Sequence, residues 1–178
     1  MKKSLYGLKQ APRAWYTKLK SALQNWGFKR AVSNASLFIK RNSKYVLFVL
    51  VYVDDILITG SDSLALQGCI YDLDTYFVLK TLGSVNYFLG FEAYRNSTGI
   101  YLTQSKYTLD LLKKASMQDC KPCSTPMTSG ISLTDEGEVF TDPSFYRTIV
   151  GSLQYLTYTR PDIAFIVNKL SQFLSSPR

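Results

Sequence analysis

Nine consecutive residues, Tyr45 to Val53, are aromatic, aliphatic or β-branched, and the run stops at Asp54-Asp55 before a second apolar stretch, Ile56 to Thr59, closed by Gly60. Segments this short, rich in Val, Tyr and Phe and bounded by turn formers, read as buried strands. Two buried strands joined across two carboxylates constrain the chain to a β-hairpin within a sheet. Asp is a common turn former, so the pair taken alone reads as a plain turn. Its surroundings argue for more. Hairpin tips favour Asn-Gly or Asp-Gly, whereas here two like charges abut a wholly apolar strand. Adjacent carboxylates on a rigid tip suit hard divalent cations, because Mg²⁺ takes oxygen ligands and keeps waters and substrate phosphates in its shell.

Charge sharpens the picture. The 178 residues carry 21 Lys plus Arg against 13 Asp plus Glu, a net of +8. Residues 1–53 hold eleven of the cations and no carboxylate, so the first acid in the chain is Asp54. A basic opening third favours an anionic partner. The absence of His removes imidazole bases and every zinc site that needs them. The Tyr45–Val53 run is far short of the roughly 20 residues of a membrane helix. No apolar core follows Met1-Lys2-Lys3, so neither a signal peptide nor a membrane partner is expected. The expected setting is intracellular, cytoplasmic or nuclear, with reduced thiols.

Along the chain, Pro12, Trp15, Leu19, Ala22, Leu23 and Trp26 predict an amphipathic helix stopped by Gly27, with Arg13 and Lys20 opposite the tryptophans. Ser36–Lys40 predicts a short strand and Asn42-Ser43 a turn. Ser61 to Phe77 predicts a helix capped by Ser61, with Leu64, Ile70, Leu73 and Phe77 inward. Val85–Tyr94 and Ile100–Thr103 are strand-like and joined by a turn over 95–99, and Ser105–Ala115 is helical. Residues 116–143 lose periodicity and read as a linker or an extended surface segment. Two final helices follow, one through Tyr146, Val150 and Leu156, the other through Ile163 to Leu174. Thr159-Arg160-Pro161-Asp162 starts the second with a capping-box-like pattern.

Tyr52-Val53-Asp54-Asp55 resembles the Tyr-x-Asp-Asp box of reverse transcriptases. Leu5 to Tyr16 resembles the segment that precedes that box in copia-type LTR retrotransposon Pol polyproteins. Tyr87–Glu92, Leu102–Tyr107, Cys120–Met127 and Ile149–Thr157 with Arg160–Ile163 resemble further copia-type blocks, in order and over essentially the whole chain. The resemblance implies an α+β fold, with an antiparallel palm-like sheet carrying helices on one face. A mainly helical thumb- or connection-like segment follows. The expected division is residues 1–104 for a partial palm and 105–178 for the helical region.

The resemblance also implies roles. Asp54 and Asp55 would be metal-binding catalytic carboxylates, and Tyr52 and Val53 would border the primer terminus and incoming nucleotide. Tyr6, Gly7, Lys9 and Gln10 would lie beside nucleotide and template. Lys80 would protonate the leaving pyrophosphate, the alternative being a solvated strand-edge lysine. Leu89, Gly90, Phe91 and Glu92 would form the primer grip. Implied partners are an RNA or DNA template-primer and a dNTP, with Mg²⁺ or Mn²⁺ as cofactor.

A family palm carries a third Asp upstream of the Leu-Tyr-Gly-Leu-Lys-Gln block, and no carboxylate precedes Asp54 here. The expectation is an N-terminally truncated fragment that binds its ions weakly and is not a competent polymerase. The alternatives are a non-catalytic nucleic-acid-binding remnant, or a fragment whose exposed sheet edge aggregates. Cys120 and Cys123 form a C-x-x-C with only Cys69 besides, so structural or incidental thiols are favoured over zinc.

Overall fold

Pro12 sits at the start of α1 (Ala11–Asn25), where its missing N–H is not needed, and Gly27, at φ +87°, lets the chain leave the helix end. This helix opens a computed structural model that describes residues 10–128, 130, 132–134 and 136–178. The chain divides after Gly83 into two compact units, each holding its own antiparallel sheet. The architecture is mixed α and β, with five α-helices and seven strands among the described residues.

In the first unit, β1 (Lys29–Arg30), β2 (Leu37–Arg41), β3 (Val46–Tyr52) and β4 (Asp55–Gly60) lie side by side in chain order, all antiparallel. Alternation on β3 is clean: Leu47, Val49 and Val51 are buried. Register places Val49 opposite both Phe38 and Ile58. That face is covered by α1 through Leu19 and Leu23 and by α2 (Ser63–Phe77) through Cys69 and Leu73, with Phe28 closing the core. Fully burying a leucine contributes about 1.5–3 kcal/mol, so Leu19 and Leu23, both at 0% exposure, are strong anchors for α1.

Two expectations for α2 fail. Its N-cap is Asp62, whose carboxylate accepts from Ala65 N at 2.7 Å. Ser61 instead serves the sheet, its hydroxyl oxygen accepting from Val46 N and its own N–H donating to Val46 O. Leu64 is 82% exposed. The cap lies one residue later than expected, and the inward stripe runs through Leu66, Cys69, Leu73 and Phe77. Val78, left-handed at φ 54°, ends the helix.

The second unit orders its strands β5 (Tyr87–Phe88), β6 (Phe91–Asn96) and β7 (Gly99–Thr103). Val85–Tyr94 is thus not one strand: Leu89 and Gly90, both at positive φ, turn it back on itself. The β6–β7 turn is tighter than expected and consists of Ser97-Thr98, closed by the Asn96–Gly99 pair. The Asn96 side-chain oxygen accepts from Thr98 N, Thr98 Oγ1 and Gly99 N. Gly99 to Leu102 are all exposed.

Three helices follow: α3 (Ser105–Lys114), α4 (Pro143–Leu156) and α5 (Ala164–Ser171), the last preceded by a short 3₁₀ turn, Pro161–Ile163. Residues described between α3 and α4 form no helix or strand, as the loss of periodicity predicts. The capping box at 159–162 does not form. Arg160, the residue before the 3₁₀ turn, makes no capping bond; its guanidinium donates twice to Asp162, at 2.9 and 2.7 Å. The last helix is also shorter than expected, leaving Phe173 and Leu174 in turns beyond it. No helix among the described residues is long and apolar enough to cross a membrane.

Candidate active site

The β3–β4 connection is a two-residue turn. Tyr52 pairs with Asp55, leaving Val53 and Asp54 at the tip. Such turns demand φ > 0 at the first central position because of strand twist, and Val53 adopts φ 54°. For a β-branched residue this is strained, at a cost of order 1–3 kcal/mol that the surroundings must offset. They do so from both sides. The ladder continues directly into the turn, and Trp15 on α1 donates its indole N–H to Val53 O at 3.2 Å. The Trp15 ring meets Phe77, the last residue of α2, edge to face at 5.0 Å, and Phe77 meets Tyr76 at 4.8 Å. Lys18 Nζ lies over both of those rings.

Tyr52 and Asp55 share the sheet face turned away from α1 and α2, because Val51 and Ile56, one step further in, point into the core side. Tyr52 and Val53 are 53% and 61% exposed, and both carboxylates are exposed. Arg160–Asp162 is the one ion pair among the described residues, so no described cation pairs with Asp54 or Asp55. The turn therefore holds two exposed carboxylates on a braced backbone, without a cationic partner among the described residues. In kind, these donors fit Mg²⁺ or Mn²⁺. In number they are two: among the described residues no group of three or more His, Cys, Asp or Glu is placed to hold a metal ion.

The other sequence-derived residues distribute as follows. Tyr6, Gly7 and Lys9 lie outside the described residues. Gln10 precedes α1, exposed and without a side-chain capping bond, and with Arg13, Thr17, Lys18 and Ser21 lines an open groove of about 600 Å³. Lys80 is exposed in an irregular stretch after α2, not on a strand edge. Leu89–Glu92 come together in the second unit. Leu89 O accepts from Tyr155 OH, and Phe91 packs on Tyr155 at 5.6 Å. The Glu92 carboxylate accepts from Lys106 N at 3.1 Å. Gly90 lies so close to Tyr155 that an added Cβ would stand 3.2 Å from its ring.

Two positioning residues escape sequence reasoning, Trp15 and Tyr155. Trp15 reads as part of an apolar helix face and Tyr155 gives no signal at all, and neither spacing discloses that a side-chain donor reaches a turn carbonyl 38 or 66 residues away. All three cysteines are free, as expected. Burial, helped by Asp72 and opposed by Lys40, pushes the Cys69 thiol up to about 11.

A family described as "Reverse transcriptase (RNA-dependent DNA polymerase)" matches residues 1–129. The chain is 49% identical over 178 residues to the Retrovirus-related Pol polyprotein from transposon RE1 of Arabidopsis thaliana, covering 99% of this chain and 12% of that protein. It is 47% identical to the corresponding RE2 polyprotein of the same plant, with the same coverage. Identity to the Retrovirus-related Pol polyprotein from transposon TNT 1-94 of Nicotiana tabacum is 36%, over 99% of this chain and 14% of that protein. The chain thus spans 12–14% of the length of these relatives. No solved structure matches it.

Proposed function

Because the chain belongs to the reverse transcriptase (RNA-dependent DNA polymerase) family of retrotransposon Pol polyproteins, we propose that its β3–β4 turn is the double-carboxylate corner of a nucleotidyl-transfer centre. The supporting observation is the strained, doubly braced turn that holds Asp54 and Asp55 exposed and, among the described residues, without cationic partners. Asp54 and Asp55 would hold Mg²⁺ or Mn²⁺, hard cations suited to carboxylate oxygens. A bound divalent cation supplies electrostatic stabilisation of the attacking and departing oxygens.

The remaining roles belong to the chain. Tyr52, exposed on the face of Asp55, borders the primer terminus, and Val53 fixes the turn against the incoming nucleotide. Gln10, with Tyr6, Gly7 and Lys9, lies beside nucleotide and template. Lys80 donates a proton from Nζ to the departing pyrophosphate oxygen, an apt partner for a polyanion. Leu89–Glu92 act as the primer grip. Residues 1–104 take the palm role, and 105–178 the thumb- or connection-like role. The nucleic-acid partner is a template-primer.

With two grouped carboxylates, the described residues hold the ions loosely, and misplacement of about 1 Å costs on the order of 10²-fold in rate. The isolated chain is therefore a weak metal binder without processive polymerase activity. Mn²⁺ binding followed by EPR, together with primer extension on an RNA template, tests this reading. Weak binding abolished in Asp54→Asn/Asp55→Asn, with no processive product, is expected. Binding unchanged by that double substitution would overturn the metal role. Processive synthesis lost in Asp54→Asn would overturn the expected lack of polymerase activity.

A further inference from the structure

Eight cations lie between Gln10 and Val53 with no carboxylate among them, and the structure sorts them. Two are committed internally: Lys18 Nζ sits over Tyr76 and Phe77, and half-buried Lys40 places Nζ 5.7 Å from the Phe28 ring centre. Of the exposed ones, Arg41 and Lys44 stand at the end of the first sheet remote from the carboxylate turn, and Lys29 lies nearer mid-sheet, level with Phe48. Lys29 pairs with Ile39, and Arg41 pairs with Val46, so both stand on the sheet face that also carries Tyr52 and Asp55. Lys44 lies in the β2–β3 turn, where Asn42 Oδ1 accepts from Lys44 N and Tyr45 N, both at 2.8 Å. The turn's backbone is thereby fixed.

We propose that Lys29, Arg41 and Lys44 form a phosphate-backbone contact surface that takes nucleic acid extending from the carboxylate turn. This rests on the template-primer reading above. Lys29 and Arg41 are diagonal neighbours across two strands, about 7–8 Å apart. That is close to twice the 3.4 Å axial rise per nucleotide, the interval over which one strand presents successive charges. From Tyr52 to Val46 is six strand steps, about 20 Å at roughly 3.3–3.4 Å per residue. A duplex with its terminus at Asp54 reaches the level of Lys29 after about four base pairs and that of Arg41 after about six. The acid next in the chain at that end, Asp62, is engaged as the α2 cap at Ala65 N. Nucleic acid is preferred over a membrane because the cations share a face and a line with the carboxylate turn.

The test is fluorescence anisotropy of the full chain with a labelled RNA–DNA hybrid, titrated with KCl in EDTA. Lys29→Gln/Arg41→Gln/Lys44→Gln is compared with Lys113→Gln/Lys114→Gln/Lys121→Gln, whose three exposed cations lie in the second unit and give the same charge change. Loss of three phosphate contacts lowers the log K against log[salt] slope by about 2.7 and weakens binding at 0.1 M salt on the order of 10²-fold. The control triple, and the charge-keeping Lys29→Arg/Lys44→Arg, should keep the wild-type slope. An unchanged slope in the first triple, or an equal loss in the control triple, overturns the assignment. So does tighter binding to phosphatidylserine vesicles than to the hybrid. The slope is read without divalent cations, so a failed metal or polymerase reading leaves this result standing, and the reverse holds too.

Discussion

The indole N–H of Trp15 donates to the carbonyl oxygen of Val53 across 3.2 Å, tying the first helix to the tip of the central hairpin. Together with the Phe77 contact at 5.0 Å, it makes α1 and α2 jointly responsible for the turn geometry. Trp15→Phe keeps a ring for Phe77 but removes the donor. The expected loss is about 1 kcal/mol of stability in urea unfolding, accompanied by weaker Mn²⁺ binding. Unchanged Mn²⁺ affinity would show that the turn keeps its geometry without the bond.

Val53 holds a left-handed conformation and is 61% exposed, so little packing is lost on its removal. Val53→Gly should therefore stabilise the first unit by about 1 kcal/mol, the released strain less the entropy of glycine. Chemical denaturation measures this, and destabilisation would show that the strain is smaller than the φ value implies.

At the second hairpin the sign reverses. Gly90 has φ +80° and its Cβ position faces the Tyr155 ring at 3.2 Å. Gly90→Ala is expected to destabilise the second unit by more than about 1 kcal/mol. Tyr155→Phe, which deprives Leu89 O of a donor, should cost about 1 kcal/mol. Thermal melts of both variants provide the measure.

Asp62→Ala removes the carboxylate that accepts from Ala65 N and should cost about 1 kcal/mol through the α2 cap. Leu64→Ala, at an 82% exposed site, should stay within about 0.5 kcal/mol. A larger loss for Leu64→Ala than for Asp62→Ala would contradict the observed start of α2.

The buried Cys69 thiol has a folded-state pKa raised from 9.0 to about 11. The folded chain holds that proton more tightly than the unfolded chain does. The associated stability is fully present below pH 9 and declines as pH rises towards 11. Cys69→Ala should flatten the stability profile across that window relative to wild type. At neutral pH, exposed Cys120 and Cys123 should react with a thiol reagent well before Cys69 does.

Much of the first unit is legible in local pattern. The apolar run at 45–53 specifies β3, and Pro12 and Gly27 bracket α1 because both act through backbone conformation alone. Ser61 and Asp62 are both competent caps in adjacent positions. What separates them is the Val46 backbone, 15 residues distant, which takes the Ser61 hydroxyl for the sheet. Leu89 gives no turn signal, since leucine rarely occupies positive φ; the Tyr155 hydroxyl and the ring beside Gly90 hold it there. The candidate site was legible as a carboxylate tip, whereas its bracing by Trp15 depends on tertiary contact.

β7 presents Gly99 to Leu102 to solvent on both of its faces. Register is strongly specified where one strand face must be hidden, and a strand with no hidden face lacks that check against slipping. The alignment of β6 with β7 therefore leans on their turn, where the Asn96 side chain accepts three bonds and Thr98 Oγ1 bonds Tyr101 OH. One carboxamide thus acts as an alignment pin at the edge of this sheet.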